Sequence, residues 1–334
     1  MQYKTFEISE LTLHNNSEEE QMRTRKIFEI LKQRAISNEF LSEHEKEFFC
    51  TGVKLSLLND GKWEDYQCCD NPKFKFFYLV YFHDLTGGSP FYKPKGTSVI
   101  KVDSAEAQLD LEYLYLKAEE WETTIQKGNH SDQLLQQISA ETRSELKNLD
   151  NQPEFTNDKF AKGSFRYIYK KRAVLLQSKY IYCIALEIFE SLTSTDLVLE
   201  INNQIIEFNE YSLIHILNRH YSEMTKQYST NKTFHNEDFK PRILSIQLKE
   251  ILKDIDNSKV LEMKSIDKIA FKINSVDYLL WTSEETKSIK GKGNVKYRRL
   301  NTFYPVTDLN ELDKLNTDYE LKKISNSISV YVLS

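Results

Sequence analysis

The spacing of hydrophobic residues predicts that the first part of the chain is mainly helical. Apolar residues recur every three or four positions over about 17–37, 104–127 and 132–149, and capping or acidic residues precede the first two of these segments. A wider apolar stripe over about 165–192 is typical of a helix packed between neighbours. Ser42 and Glu45 have the spacing of a capping box, which predicts a short helix that runs to Phe49.

Alternation of polar and apolar residues predicts strands in the same part of the chain. The aromatic run 74–82 is long enough for a buried strand, and turn residues bound the other candidates. A loop rich in glycine and proline over 87–96 lacks the glycine spacing of a phosphate-binding loop. The predicted strands are 3–8, 53–58, 63–68, 74–82 and 98–102.

From about residue 197 the pattern changes to short strands around two helices. Asn202 and Asn203 separate strands 197–201 and 204–208 and are typical of a tight hairpin turn. A helix over 211–221 and a second helix from Pro241 to about 255 follow, with a polar loop between them. Further strands are predicted at 268–273, 277–282, 295–305 and 324–333, with a basic loop containing Lys287, Lys290 and Lys292 before the third of these.

These elements predict an α+β fold with three consecutive parts. Residues 1–150 form a mixed α/β domain of unknown role, 151–194 a helical connector, and 195–334 a small antiparallel-sheet domain with packed helices. A length of 334 residues with 40% hydrophobic residues is enough for two modest domains.

Composition leaves the partner open but argues against a membrane. A formal net charge of -5 neither selects nor excludes RNA, because a local basic patch could still bind it. The chain has no apolar run of membrane-spanning length and no secretory signal, which predicts a cytoplasmic protein. The four cysteines are too few for a disulfide framework. Cys50, Cys68, Cys69 and His83 could bind zinc, but without a Cys-x-x-Cys spacing buried thiols are the stronger interpretation.

The predicted helix 211–221 carries two histidines and an arginine. At 100° per residue, His220 lies at the edge of the apolar face formed by Leu213 and Leu217, whereas His215 lies nearly opposite and Arg219 lies between the two histidines. A histidine at such a boundary can be partly desolvated, with a pKa suited to proton transfer. The alternative is a hydrogen-bonded interfacial histidine beside an exposed arginine. A separation of five residues points the two rings in different directions and does not match helical zinc ligands, so no metal is expected.

The predicted strand 295–305 offers a possible phosphate-binding face. A two-residue period places Arg298, Thr302 and Tyr304 on one face and Arg299 on the other. A guanidinium with two hydroxyl groups could hold a phosphate and stabilise charge that develops on it. The alternative is an exposed polar face on an edge strand.

The order of elements after residue 195 resembles a known nuclease fold. The helix ends in His-Ile-Leu-Asn-Arg-His at 215–220, and the late strand reads Tyr-Arg-Arg-Leu-Asn-Thr-Phe-Tyr-Pro at 297–305. This arrangement resembles the barnase/EndoU/colicin/RelE-like (BECR) ribonuclease fold, and more narrowly its phage-associated and mobile-element-associated branch. The resemblance covers about 195–334, and residues 1–190 resemble no family that we can name.

The resemblance implies metal-independent cleavage of RNA without a cofactor. In that fold a base deprotonates the ribose 2′-hydroxyl, which attacks the adjacent phosphate, while an acid protonates the departing 5′-oxygen. The helical motif matches His215, Arg219 and His220, and the strand motif matches Arg298, Thr302 and Tyr304. We expect His220 as the general base or acid, His215 as a second proton carrier, Arg219 and Arg298 as phosphate ligands, and Thr302 and Tyr304 as orienting or donating groups. The loop 287–296 would contact backbone phosphates.

The sequence therefore predicts an endoribonuclease that acts as a toxin or mobile-element effector, with RNA as substrate and an inhibitor or antitoxin protein as a potential partner. One alternative is a module of the same fold that binds RNA or protein without catalysis. Another is a small-ligand sensor in the N-terminal domain, for which a deep pocket lined by residues 63–83 would be expected.

Overall fold

The structure, a computed structural model, describes most of the second half of the chain and selected segments of the first. The chain divides into two compact units. Unit 1 comprises Met1–Ser131 and Ile138–Cys183, and unit 2 comprises Asp132–Gln137 and Ile184–Ser334. Within the described segments no helix is long and apolar enough to span a bilayer. Those segments are 5–11, 17–36, 39–42, 44–45, 48–49, 74, 77–78, 81, 92–95, 98–101, 104–156, 161–221, 233–235, 239–261, 266–289, 291 and 293–333.

Long helices dominate the first half, as the apolar spacing predicts. Three of them lie at the predicted positions 104–127, 132–149 and 165–192, and the first helix begins with a capping box between Ser17 and Glu20. A two-stranded hairpin precedes the second long helix. The elements are α1 (Glu18–Ile36), β1 (Tyr92–Lys95), β2 (Ser98–Lys101), α2 (Ser104–Ile125), α3 (Gln133–Asp150), α4 (Pro153–Thr156) and α5 (Phe165–Ser191).

Two of the strands predicted for this half are wrong where the structure describes them. Within 74–82, the described residues Phe74, Phe77, Tyr78 and Tyr81 are helical and almost fully buried. Their spacing of three or four residues is that of one helical face, which a short aromatic run also permits. The predicted strand 3–8 contains instead the start of a 3-10 turn at Ile8–Glu10. The predicted strands 53–58 and 63–68 lie outside the described residues.

Unit 2 is built on a seven-stranded sheet of described strands in the order β3-β4-β7-β6-β5-β9-β8. All neighbouring strands are antiparallel except β4 and β7, which pair in parallel at Ile206 with Arg298 and at Glu207 with Arg299. An α+β fold with a mainly antiparallel sheet was predicted, and the structure has one. The strands are β3 (Val198–Ile201), β4 (Gln204–Glu207), β5 (Lys268–Ile273), β6 (Val276–Ile289), β7 (Gly293–Pro305), β8 (Tyr319–Lys323) and β9 (Ile328–Leu333).

The β3–β4 hairpin turns where the sequence predicts it. Asn202 and Asn203 have φ values of 50° and 58°, and asparagine tolerates this left-handed backbone better than most residues. The helices of unit 2 that follow are α6 (Glu210–His220), α7 (Leu244–Asn257) and α8 (Leu309–Asp318). Neither α8 nor β8 is predicted from the sequence pattern.

Helix α6 is fixed against β7 at both of its ends. At its start the Asn209 side chain accepts a hydrogen bond from the Ser212 backbone, and the Ser212 hydroxyl donates to the Leu300 carbonyl at 2.6 Å. The apolar face of α6, including Leu213 and Leu217, is completely buried. At its end lies His220, which contacts β7 directly.

A β-bulge in the long β6–β7 hairpin decides which side chains of β7 face α6. The strands pair Trp281 with Thr302 and then Thr282 with Leu300, so that Asn301 has no partner of its own on β6. One extra residue reverses the alternation of side chains along β7. Residues before and after the bulge that would share a face in a regular strand therefore lie on opposite faces.

Candidate active site

His220, the last residue of α6, meets β7 through its imidazole ring. Its Nε2 lies 2.9 Å from the Thr302 hydroxyl, and its Nδ1 lies 3.0 Å from the Thr233 carbonyl oxygen. A carbonyl oxygen can only accept, so Nδ1 carries a proton and donates to Thr233. In the neutral ring Nε2 is then the acceptor, and the Thr302 hydroxyl donates to it. The contact with Thr233 thus keeps the basic nitrogen directed at β7.

Tyr304 packs its ring against His220 and directs its hydroxyl away from it. The two ring centroids are 5.1 Å apart and the planes are inclined by only 15°. The Tyr304 hydroxyl donates to Glu311 at 3.2 Å and accepts from Trp281 Nε1 at 3.3 Å. Burial raises the pKa of Tyr304 to about 12, and the nearby Glu311 carboxylate acts in the same direction, whereas the hydrogen bond from Trp281 acts to lower it. Tyr304 therefore stays protonated and orients the His220 ring.

His215 lies beside His220, contrary to the prediction that their rings point in different directions. Their centroids are 6.5 Å apart, and both residues are half-buried. His215 also stacks on Tyr211, four residues earlier, at a centroid distance of 5.5 Å. The angle of 100° per residue predicts that the rings diverge because it considers the helix alone. In the structure the contacts with Thr302 and Tyr304 hold the His220 ring on the same side of α6 as His215.

The predicted face of β7 is wrong because of the bulge at Asn301. Arg298 does not share a face with Thr302: it pairs across the sheet with Glu284, donates to Thr282 at 2.9 Å and forms an ion pair with Asp267. Arg299 lies on the face of Thr302 instead.

Arg299 is held against Tyr211, whose ring also stacks on His215. Its guanidinium carbon lies 3.8 Å above the centre of the Tyr211 ring, a cation–π distance. The same side chain donates from Nε to Asn301 at 3.2 Å and from one terminal nitrogen to Glu285 at 2.9 Å. Arg299, Tyr211, His215, His220 and Tyr304 form one continuous row of contacts, which we call the α6–β7 row.

Arg219 is half-buried, and its Nε has no hydrogen-bond partner among the described residues. Within the described part of the chain it makes no hydrogen bond or ion pair with the other predicted site residues. The structure brings His215, His220, Thr302 and Tyr304 together but gives no such contact for Arg219 and turns Arg298 away.

His235 lies between His220 and the backbone of β7 at Phe303, and sequence reasoning missed it. Its Nε2 donates to the Phe303 carbonyl at 3.0 Å, and its ring centroid lies 6.3 Å from that of His220. Burial lowers the pKa of His235 to about 3, partly offset by the Phe303 hydrogen bond and reinforced by His220. Its Nδ1 is buried and has no hydrogen-bond partner among the residues that the structure describes. No spacing in the sequence links His235 to Phe303, and only the fold brings them together.

Carboxylates already pair with Lys287 and Lys296, the two described lysines of the basic segment expected to contact RNA. Lys287 pairs with Glu207 at 2.5 Å and Lys296 with Glu284 at 2.6 Å. The pair with Lys296 lowers the pKa of Glu284. Lys290 and Lys292 lie outside the described residues. The predicted loop 287–296 is wrong at both of its ends, because Lys287 belongs to β6 and Lys296 to β7. By the register of the hairpin, Lys296 lies on the face of Arg298 and not on that of Arg299 and Thr302.

The described segments contain no group of three histidine, cysteine, aspartate or glutamate residues placed to hold a metal ion. The candidate zinc ligands Cys50, Cys68, Cys69 and His83, and most of 63–83, lie outside those segments. Cys183 is buried.

Together with Thr302, the α6–β7 row combines a proton acceptor, a hydroxyl group and a guanidinium on one half-buried surface of unit 2. Such a set can move a proton and stabilise charge on a phosphate. Comparison of the chain with protein-family models, with curated proteins and with solved structures yields no match.

Proposed function

We propose that unit 2 is a metal-independent endoribonuclease that cleaves RNA by attack of the ribose 2′-hydroxyl on the adjacent phosphate. The observation that carries the proposal is the contact between His220 Nε2 and the Thr302 hydroxyl, 82 residues apart in sequence. Thr233 fixes the tautomer in which Nε2 can accept a proton. The resemblance of segments 215–220 and 297–305 to the BECR ribonuclease fold supports the same reaction.

In this mechanism His220 is the general base. The substrate 2′-hydroxyl replaces the Thr302 hydroxyl as donor to Nε2 and transfers its proton there as its oxygen attacks the phosphorus. The bond from phosphorus to the 5′-oxygen breaks, and the products end in a 2′,3′-cyclic phosphate and a 5′-hydroxyl. Thr302, released from His220, can donate to a phosphoryl oxygen.

The departing 5′-oxygen needs a proton, and His215 is the candidate donor. Its ring is half-buried and lies next to His220 in the α6–β7 row. Tyr304 is less suited, because its hydroxyl donates to Glu311 and its ring packs on His220. The proposed division is therefore His220 as base, His215 as acid and Tyr304 as a positioning residue.

The test is incubation of the purified full chain with RNA in excess EDTA, followed by mapping of the ends. We expect 2′,3′-cyclic phosphate ends and a loss of about 10²–10⁴-fold in rate for His220→Ala. His44→Ala is the matched control, since His44 is exposed and lies in unit 1. Absence of cleavage, or His220→Ala and Thr302→Val variants as active as wild type, would refute the proposal.

Non-catalytic binding of RNA or protein by the same surface is the second candidate. It is favoured by the ion pairs of Arg298 with Asp267 and of Arg299 with Glu285, which leave neither arginine without a carboxylate. Binding of RNA without cleavage would identify this role. A toxin or mobile-element effector, controlled by an inhibitor or antitoxin protein, remains a proposal that rests on the resemblance, and toxicity on expression that His220→Ala abolishes would support it.

A further inference from the structure

We propose that Arg299 forms an anion-binding subsite at the end of the α6–β7 row that contains His220. Glu285 is the anion that occupies this subsite in the free protein, and a backbone phosphate of the substrate must displace it. The proposal deepens the proposed function and rests on it for the identity of the ligand. The ligand chemistry is a phosphodiester group of single-stranded RNA.

The first argument is the rigidity of Arg299. Its guanidinium lies flat on Tyr211, Asn301 holds Nε, and the side chain is only 18% exposed. Because a guanidinium has five N–H donors and this one uses two of them within the described part of the chain, three remain for a ligand. A fixed planar fork of this kind suits phosphate, since less side-chain freedom is lost on binding.

The second argument is the position of Glu285. Its carboxylate accepts from Arg299 at 2.9 Å and lies 2.8 Å from the Ser283 hydroxyl. The Ser283 hydroxyl also lies 3.0 Å from Asn301, and it can donate its single proton to only one of the two at a time. Glu285 is 35% exposed, so an incoming anion can reach the pair from solvent. Ser283 and Asn301 would remain as partners for each other after the exchange.

The third argument is location. Arg299 and Thr302 are on the same face of β7 because of the bulge, and Tyr211 and His215 connect Arg299 to His220 without a gap. A phosphate on Arg299 would belong to a nucleotide that flanks the cleavage position. The subsite would therefore favour substrates that extend beyond the scissile bond over a minimal dinucleotide.

The test compares Glu285→Gln with Glu284→Gln in the full chain. Both variants remove one negative charge from adjacent positions, but Glu284 pairs with Lys296 on the other face of β6. The probe is a short fluorescent single-stranded 2′-O-methyl RNA of mixed sequence, which cannot be cleaved by 2′-hydroxyl attack. We expect Glu285→Gln to bind about twofold to fivefold more tightly than wild type, the range for loss of one partly exposed ion pair, and Glu284→Gln to match wild type.

Salt dependence supplies a second readout. Arg299→Gln should weaken binding and lower the slope of log affinity against log salt by about 0.7, the value for one phosphate contact on a single strand. Circular dichroism checks that each variant is folded. Unchanged or weaker binding by Glu285→Gln, equal tightening by Glu284→Gln, or no binding by any variant overturns the inference.

The inference and the proposed function can fail separately. Cleavage of all-ribose RNA by wild type, with no tightening in Glu285→Gln, overturns the subsite and leaves the nuclease standing. Tightening in Glu285→Gln without cleavage of all-ribose RNA supports the subsite and refutes the nuclease.

Discussion

Buried His235 should make the stability of unit 2 depend on pH in a range where carboxylates are still ionised. The pKa of its imidazole falls from 6.5 to about 3 in the folded chain because burial among aromatic rings disfavours the charged form. Between these values the unfolded chain binds a proton that the folded chain does not. The contribution of His235 to the free energy of unfolding is therefore fully present above pH 6.5 and is lost as the pH falls towards 3.

The size of the effect follows from the two pKa values. For one proton, each unit by which the pH falls in this window lowers the free energy of unfolding by about 1.4 kcal/mol. Between pH 7 and pH 4.5 the free energy of unfolding should fall by about 2.5 kcal/mol from His235 alone. Carboxylates with lowered pKa, such as Glu284, add to the loss mainly below this range.

Urea unfolding at pH 7, 5.5 and 4.5 would measure the slope, with Trp281 fluorescence as the reporter for unit 2. Trp63→Phe and Trp121→Phe in the background leave Trp281 as the single tryptophan. His235→Phe removes the titrating group and should flatten the dependence. It should also cost about 1–3 kcal/mol at pH 7, because the Phe303 carbonyl loses its donor.

His235→Gln keeps a donor for Phe303 and serves as a second variant in case the phenylalanine variant does not fold. His44→Gln, at an exposed position of unit 1, controls for removal of a histidine as such. The reasoning is refuted if both His235 variants keep the wild-type slope between pH 7 and pH 4.5.

Three further variants test the remaining geometry. Tyr304→Phe should keep the ring against His220, cleave RNA within about threefold of wild type and lose about 0.5–1.5 kcal/mol of stability with its hydrogen bond to Glu311; a hundredfold loss of rate would place the hydroxyl in the chemistry. Arg298→Gln should lower the urea midpoint but affect the cleavage rate less than Arg299→Gln, and the reverse order would contradict the register of β7. Asn203→Ala should destabilise by about 1 kcal/mol in thermal unfolding because φ is 58°, whereas Asn203→Gly should be neutral or stabilising, and equal effects would exclude backbone strain as the cause.

The three long helices α2, α3 and α5 and the β3–β4 hairpin could be predicted because their causes are local. The apolar spacing of 104–127, 132–149 and 165–192 repeats over many turns, so the helical period is unambiguous. Asn202 and Asn203 supply the left-handed backbone that a two-residue hairpin needs. The prediction of a strand at the aromatic run 74–82 is wrong because so short a run fits the helical period as well as the strand period, and its length does not distinguish a helix from a strand.

For the site, the sequence was enough to choose His220, Thr302 and Tyr304, and the structure brings these three into contact. Their roles in catalysis remain predictions. Helix α8, which brings Glu311 to Tyr304, was not predicted, and His235 carried no motif that would have linked it to β7.

Only the tertiary structure determines whether Arg298 or Arg299 lies on the face of β7 that carries Thr302. A strand read by itself alternates strictly, so its sequence places Arg298 with Thr302. The bulge at Asn301 arises from the pairing of β7 with β6, and one unpaired residue exchanges the two faces beyond it. The sequence determined by itself which residues could carry the chemistry, because helix period and turn conformation are local. Which arginine shares a face with Thr302 depends on strand register, which only the packed sheet decides.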